Sequence, residues 1–401
     1  MISKNLGDLV VITGASGFLG RHLVPTLAKE GYRLLLCGRD PTHLEALYSE
    51  HSCCALEQLS EQAQGAHMLI HLAVKNNDEL GDDAAFFKAN VAMLQRVVEL
   101  MREAGIKHVI YPASLQAGPN AKTPYGRSKF AAEEFLTTQS DLIVTCLRLP
   151  AIYSETFRGK LSIFNKLPRI THDPLLMLLG SLKPVVHVEC VVSAISRAIA
   201  KPQSEAVWVT NSQSNNPVYR VLSRLMDMGF AIVVCALLWW LLVAVWIGIK
   251  ITSKGPGFFV QERVGRAQQP FICYKFRTMR EGTKQAGTHE VSPVAVTGIG
   301  RFLRRSKIDE LPQIWNLIKG DMSLVGPRPC LPVQQELREA RQRRGVFDIR
   351  PGITGLAQIQ GVDMSAPGKL AKIDAQYIAA RTVLLDFKIV LNTVGGGRVE
   401  F

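Results

Sequence analysis

The sequence predicts an α/β protein in two parts. Residues 1–215 read as a doubly wound parallel sheet, residues 216–254 as a membrane-inserted helix, and residues 255–401 as a small α/β domain. Three observations predict this. Short apolar runs alternate with helical patterns up to residue 215, the rhythm of a parallel sheet covered by helices. Gly229 to Ile249 then runs 21 positions without a charge, long enough to cross a hydrocarbon core of roughly 30 Å. Beyond it the chain turns to short motifs rich in Gly, Pro and Arg.

The strands expected in the first part are Leu9 to Thr13, Arg33 to Cys37, Met68 to Ala73, His108 to Tyr111 and Leu142 to Leu147. Asn211 to Pro217 (NSQSNNP) is polar and ends in proline, so it reads as the linker. In the last part, amphipathic helices are expected around Ile308 to Leu317, Pro332 to Arg343 and Leu370 to Ala380. Met1 to Leu9 is polar and reads as no cleavable signal.

Charge separates the parts further. The 401 residues carry a net +13, with 21 Lys+Arg against 20 Asp+Glu up to Asn215 and 26 against 14 beyond it. Such an excess suits nucleic acid, anionic head groups or phosphorylated substrates. The adjoining apolar run selects the membrane and excludes a soluble nucleic-acid binder. Eight cysteines without a CxxC spacing read as reduced thiols.

Strand Leu9 to Thr13 leads into Gly14-Ala15-Ser16-Gly17-Phe18-Leu19-Gly20 and then a helix. Glycines at this spacing let the backbone approach a pyrophosphate at a helix N-terminus, where free N–H groups favour an anion. A tight turn would explain a lone glycine cluster; its place between strand and helix favours Gly14, Gly17 and Gly20 as cofactor-binding. Arg39, at the end of the second strand, suits a 2′-phosphate and so NADP over NAD, although Asp40 stands beside it. Further on come Ser114 and the run Tyr125-Gly126-Arg127-Ser128-Lys129, with Tyr125 and Lys129 on one helix face. A lysine beside a tyrosine is expected to lower the phenol's pKa, so that Tyr125 exchanges a proton with substrate while Ser114 holds the same oxygen.

This segment, over about residues 8–210, resembles the extended short-chain dehydrogenase/reductase family of nucleotide-sugar epimerases, dehydratases and reductases. His71-Leu72-Ala73, Asn90-Val91, Leu147-Arg148-Leu149-Pro150 and His187-Val188-Glu189 fit the same pattern. The resemblance implies a Rossmann-type sheet and NADP(H) or NAD(H), with Lys129 also touching the cofactor. The family's sugar dehydratases carry an Asp-Glu pair where this chain has Leu115-Gln116. That leaves a reductase, favoured on a 4-keto sugar, or an epimerase. A dinucleotide-binding regulatory module without turnover is the alternative, supported by a shortened substrate region.

The densest motif is Arg301 to Asn316 (RFLRRSKIDELPQIWN), followed by Lys319 to Pro329 (KGDMSLVGPRP). Adjacent carboxylates among basic residues suit phosphoryl transfer, in which arginines balance phosphate charge and a carboxylate attacks phosphorus or holds a divalent ion. An acidic first helical turn would explain Asp309 and Glu310 equally well if they stood alone. They are accompanied, in order, by Gly255 to Gly265 (GPGFFVQERVG), Tyr274 to Met279 (YKFRTM) and Arg350 to Gly355 (RPGITG). Over about residues 219–395 this set resembles the bacterial sugar transferases, the monotopic phosphoglycosyl transferases. The resemblance implies that Asp309 is the nucleophile on a UDP-sugar and a ligand of Mg²⁺, that UMP is released, and that undecaprenyl phosphate accepts the sugar phosphate from the covalent intermediate. Glu310 would assist, and Lys275, Arg277, Arg304 and Arg328 would bind phosphate.

In that family a proline often breaks the apolar helix so that it returns to the leaflet it entered. Gly229 to Ile249 has none. NADP(H) and UDP-sugars are both cytosolic, however, so the expectation is a re-entrant helix in the bacterial inner membrane with both domains facing the cytoplasm. A homo-dimer stays open.

Overall fold

The computed structural model describes residues 8–157, 159–202, 204, 206–283 and 295–395. Met1 to Gly7, on which the signal reading falls, lies outside them. The chain divides into two compact units, one of Met1–Leu175 with Pro184–Asn211, the other of Leu176–Lys183 with Ser212–Glu400.

The first unit is built on a sheet of seven parallel strands. Leu9–Thr13 (β1), Arg33–Gly38 (β2), Ser52–Ala55 (β3), Met68–His71 (β4), His108–Ser114 (β5) and Ile143–Leu149 (β6) lie in the order β3-β2-β1-β4-β5-β6, with Val207–Trp208 outside β6. Every pairing is parallel. The reason is burial on both faces: Val10, Ile12 and Ile70 join one apolar cluster, Val11, Leu69 and Val109 the other. Order reverses between β1 and β4, and ligands of open α/β sheets bind at such a switch point. Of the seven strands, Ser52–Ala55 and Val207–Trp208 were not expected, the first lacking large apolar side chains and the second being two residues long.

In the second unit, strands Phe258–Val264 and Pro270–Phe276 form an antiparallel hairpin. Ser323–Val325 pairs in parallel with Gly352–Thr354. The expected helix over Ile308 to Leu317 begins as a 3₁₀ turn, Ile308–Gln313, and becomes α-helical only over Ile314–Lys319. Pro312, which lacks an N–H, falls inside that turn.

The apolar run is two helices rather than one. Pro217–Leu237 and Trp239–Thr252 meet at a 67° bend, and among the described residues no single helix is long and apolar enough to cross a membrane. Leu238 leaves helical geometry at φ −115° and ψ 8°. The indole Nε1 of Trp240 donates to the Leu237 carbonyl at 2.8 Å, satisfying a backbone acceptor that the break would orphan. The fold therefore bends here without proline. The first of the two helices is fastened to the catalytic part of its unit by Asp227, whose carboxylate accepts from the Leu324 amide at 2.7 Å and from Ser323 Oγ at 2.9 Å.

Candidate active sites

In the first unit the glycine turn has the geometry a pyrophosphate needs. Gly14 has φ +74°, and a Cβ there would lie 2.5 Å from the Ala73 amide nitrogen. Helix Phe18–Lys29 follows with no side chain capping its N-terminus, which leaves its first amides for an anion. The turn thus fits a dinucleotide. Asp40 is occupied, since its carboxylate accepts from the His43 amide at 3.0 Å, while Arg39 beside it is exposed. Tyr48, which sequence reasoning passed over, donates to the Ala15 carbonyl at 3.0 Å and steadies the turn.

Ser114 ends β5, and Tyr125 and Lys129 lie on helix Pro124–Thr137, which Thr123 caps through the Gly126 amide. Ser114 and Tyr125 come together. Burial pushes the Tyr125 phenol up, and the Ser114 hydroxyl draws it partly back. The expectation that Lys129 lowers this phenol is not met. Lys129 Nζ donates instead to the Pro112 carbonyl at 2.9 Å and lies 4.5 Å over the Tyr111 ring. Being buried, Lys129 is itself depressed to about 7, so it has little charge to lend. Asn90 ties this helix to the loop after β4: its Nδ2 donates to Ser128 Oγ at 2.9 Å, and its Oδ1 accepts from the Lys75 amide at 2.7 Å.

In the second unit Asp309 and Glu310 sit in the 3₁₀ turn, preceded by Lys307 in the left-handed conformation. That twist puts two successive carboxylates in different surroundings. Glu310 Oε1 accepts from Lys275 Nζ at 2.7 Å and from Arg328 Nη2 at 2.6 Å. Burial would raise its pKa, but the two cations outweigh it and hold Glu310 at about 2. Asp309 has no hydrogen-bonded partner for its carboxylate among the described residues and is 8% exposed. Burial and the neighbouring Glu310 charge push it up to about 6, against the pull of Lys275, Arg304 and Arg328.

Lys275, Arg304 and Arg328 therefore gather around the carboxylates as expected, and Arg277 does not. Its Nη2 donates to the Ser253 carbonyl at 2.9 Å. A cavity beside Glu310 is lined by Arg263, Cys273, Lys275, Arg328, Pro329 and Ile353 among others. Two arginines absent from the sequence-based set hold its far wall. Arg263 Nη1 donates to the Pro329 carbonyl at 3.0 Å, and Arg341 Nη1 to the Arg328 carbonyl at 2.8 Å. Arg341 is buried and paired with buried Asp374 at 2.7 Å. Asn316 supports the opposite wall: its Oδ1 accepts from the Tyr274 amide at 3.2 Å, and its Nδ2 donates to the Ile272 carbonyl at 2.7 Å. Nothing marked Arg341 in the sequence beyond an arginine on an amphipathic helix, whereas Arg263 and Asn316 stand inside the quoted motifs.

Among the described residues no three His, Cys, Asp or Glu gather as a metal cage. Mg²⁺ often needs only one or two carboxylates, the rest being water and substrate phosphate. Asp309 fits that role and Glu310, occupied by two cations, does not.

Residues 218–397 match the model of the bacterial sugar transferase family, and residues 10–209 that of the NAD dependent epimerase/dehydratase family. An uncharacterized sugar transferase of Bacillus subtilis is 40% identical over 176 residues, 43% of this chain and 86% of the relative. A UDP-N-acetylgalactosamine-undecaprenyl-phosphate N-acetylgalactosaminephosphotransferase of Aeromonas hydrophila is 38% identical over 45% of this chain and 44% of its own length. A UDP-glucose:undecaprenyl-phosphate glucose-1-phosphate transferase of Caulobacter vibrioides is 39% identical over 43% of this chain and 67% of its own. The chain thus spans less than half of the Aeromonas relative. The chain covers 86% of the Bacillus relative and 67% of the Caulobacter one, so it belongs to the bacterial sugar transferase family, with an epimerase/dehydratase-family domain ahead of the transferase segment.

Proposed function

We propose that the second unit transfers a sugar 1-phosphate from a UDP-sugar to undecaprenyl phosphate, starting assembly of a surface glycan such as O-antigen, capsule or exopolysaccharide. The observation that carries this reading is the divided carboxylate pair: an unpartnered Asp309 beside a Glu310 held ionised by Lys275 and Arg328. Asp309 attacks the β-phosphorus; the bond to the bridging oxygen breaks and UMP leaves with that oxygen. An oxygen of the acceptor phosphate then attacks the same phosphorus, and the bond to Asp309 breaks, restoring the carboxylate. Lys275, Arg304 and Arg328 offset the charge that develops on the phosphoryl oxygens. Glu310 positions Lys275 and Arg328 for that task. Bound Mg²⁺ would supply further charge neutralisation at the diphosphate.

The first unit, in this reading, reduces or epimerises the UDP-sugar, with a 4-keto sugar reductase favoured. NADP(H) is favoured over NAD(H) because Asp40 caps its own helix and leaves Arg39 facing solvent. Tyr125 serves as the proton donor, Ser114 as its partner on the substrate oxygen, and Lys129 orients the cofactor. The burial of Lys129 against Pro112 favours the second reading, a dinucleotide-binding regulatory module. Fusion raises the effective concentration of one unit's product at the other.

The bent helix pair supports a re-entrant anchor that keeps both units on the cytoplasmic face of the inner membrane. Tags before Met1 and after Phe401 should then label from one face, and labelling from opposite faces would refute the topology. The transferase reading is tested by UMP release from a panel of UDP-sugars with undecaprenyl phosphate and Mg²⁺. Release should require Asp309 and, for a 4-keto sugar, NADPH; a panel without UMP release would overturn it.

A further inference from the structure

Gln313 is a buried carboxamide with nothing to hold. It is 3% exposed and ends the six-residue 3₁₀ turn that carries Asp309 and Glu310. It also stands at the N-cap of helix Ile314–Lys319, where a side chain often accepts from the first amides, yet it makes no such bond. Its amide oxygen and nitrogen have no hydrogen-bond partner among the described residues. A carboxamide offers one acceptor and two donors, and leaving such groups buried and unmatched is costly. Beside a cavity, that cost points to a ligand.

The cavity is the one next to Glu310, and Gln313 lines it. It holds about 240 Å³, its open mouth included, less than the roughly 300–1,000 Å³ of pockets that take a whole ligand. It therefore suits one part of a nucleotide sugar. The charged groups of the lining are already engaged: Lys275 and Arg328 on Glu310, and Arg263 on the Pro329 carbonyl and, at 2.6 Å, on Gln261 Oε1. Cys273 and Ile353 belong to an apolar cluster with Leu317 and Met322. Among the described residues of the lining, Gln313 is the one uncharged side chain with strong hydrogen-bonding groups.

This combination fits a planar base better than a sugar. A sugar ring presents several hydroxyls, each of which needs a partner once buried. Uracil presents two apolar faces and one polar edge, on which N3–H is flanked by carbonyl oxygens. A single carboxamide matches that edge, its oxygen accepting from N3–H and its nitrogen donating to a carbonyl. We propose that Gln313 binds the uracil base of the UDP-sugar in this cavity, the ring lying against Cys273, Pro329 and Ile353. This rests on the transferase reading above. The turn that holds the nucleophile at Asp309 then also fixes the base at its last residue.

The test compares the full chain in nanodiscs with its Gln313→Met variant, which keeps the side-chain length and loses the amide. The KM for UDP-sugar is measured in transfer to undecaprenyl phosphate, and the Kd of UMP and of N3-methyl-UMP, whose edge donor is blocked, by calorimetry. UMP taken up by the first unit is common to both proteins and cancels in the comparison. Two neutral hydrogen bonds correspond to about a tenfold rise in the KM for UDP-sugar and in the UMP Kd, with the KM for undecaprenyl phosphate within about twofold. N3-methyl-UMP should bind the wild type about tenfold worse than UMP, and Gln313→Met should no longer tell the two apart. Because the amide has no partner in the protein, its loss should leave the Tm as high or higher; a lowered Tm would make Gln313 a structural residue and overturn the proposal. A rise in the KM for UDP-sugar without a change in the UMP Kd would assign Gln313 to the sugar and overturn it too, as would an unchanged KM. If the wild type transfers nothing from any UDP-sugar, the transferase reading fails, and a UMP Kd that still depends on Gln313 would support the base site by itself.

Discussion

The two units bury their reactive groups to a similar depth and obtain opposite charge states from it. In the first, Lys129 has a carbonyl and an aromatic face for company, and burial takes it to about 7. His71, which shares a hydrogen bond with Thr13 at 2.8 Å, goes down to about 3. In the second, Glu310 is also largely enclosed, yet two cations within hydrogen-bond reach keep it ionised down to about 2. Burial penalises charge in both places, and the partner decides the outcome. Groups held near neutrality suit exchange of a proton, whereas fixed charges suit the neutralisation of phosphate.

The largest expected effect strikes the second unit alone. Asp309→Asn should lower UMP release by at least about a thousandfold, as loss of a covalent nucleophile does, and should abolish a phosphosugar adduct on the intact protein measured by mass. It should leave cofactor binding in the first unit intact. Tyr125→Phe is the mirror image: reduction or epimerisation should fall by about 10²–10⁴-fold, read by NADPH oxidation with the sugar, while the UMP burst from a UDP-sugar that needs no prior reduction survives. If either variant silenced both activities, the two sites would not be independent.

The pH profile sharpens the contrast. In the proposed reaction Asp309 attacks as its carboxylate, and burial beside Glu310 pushes its pKa up to about 6. UMP release should therefore fall as pH drops through about 6, and Lys275→Gln, which removes a cation that pulls Asp309 down, should move that limb upward. Stability follows the opposite sign. A carboxyl whose folded pKa is raised binds its proton more tightly when folded, so it weakens the fold as pH climbs from about 4 to 6 and throughout the range above. Asp309→Asn should accordingly stabilise the fold at pH 8 by up to about 3 kcal/mol, seen as a higher Tm, with little change at pH 4.

The fold of the first unit was legible because its strands are buried on both faces and appear as continuous apolar runs, as in Leu9–Thr13 and Met68–His71. Val207–Trp208, with two residues, carries too few positions for a pattern, and Ser52–Ala55 has no run of large apolar side chains. The carboxylates and all four basic candidates were legible as motif residues, but orientation was not. Lys275 and Arg277 are equivalent in spacing, and only the fold sends one to Glu310 and the other to Ser253. Arg341 shows the deeper limit, since its importance comes from Asp374, 33 residues away, and from a backbone carbonyl. Asp374→Asn, which leaves that guanidinium buried without its counter-charge, should cost about 3–5 kcal/mol in denaturant unfolding. By loosening the Arg328 segment it should also raise the KM for UDP-sugar.

The smallest expected effect concerns the bend, where sequence reasoning looked for a proline and found none. The bend needs an acceptor satisfied rather than a particular residue: once Leu238 leaves the helix, the Leu237 carbonyl requires a donor, and in the proposed membrane-inserted state water could not supply it. Trp240 supplies it from within the next turn. Trp240→Phe keeps an apolar ring of similar bulk and removes only that N–H, so a cost of about 1 kcal/mol is expected. A population that straightens would bring the two helices, Pro217–Leu237 and Trp239–Thr252, toward one rod of spanning length. Cysteine labelling at Lys254, from the two faces of sealed vesicles, reads that population directly. A small opposite-face fraction in Trp240→Phe, absent from the wild type, would make the indole the substitute for proline, whereas identical labelling would show that the bend is set by packing of its flanking helices alone.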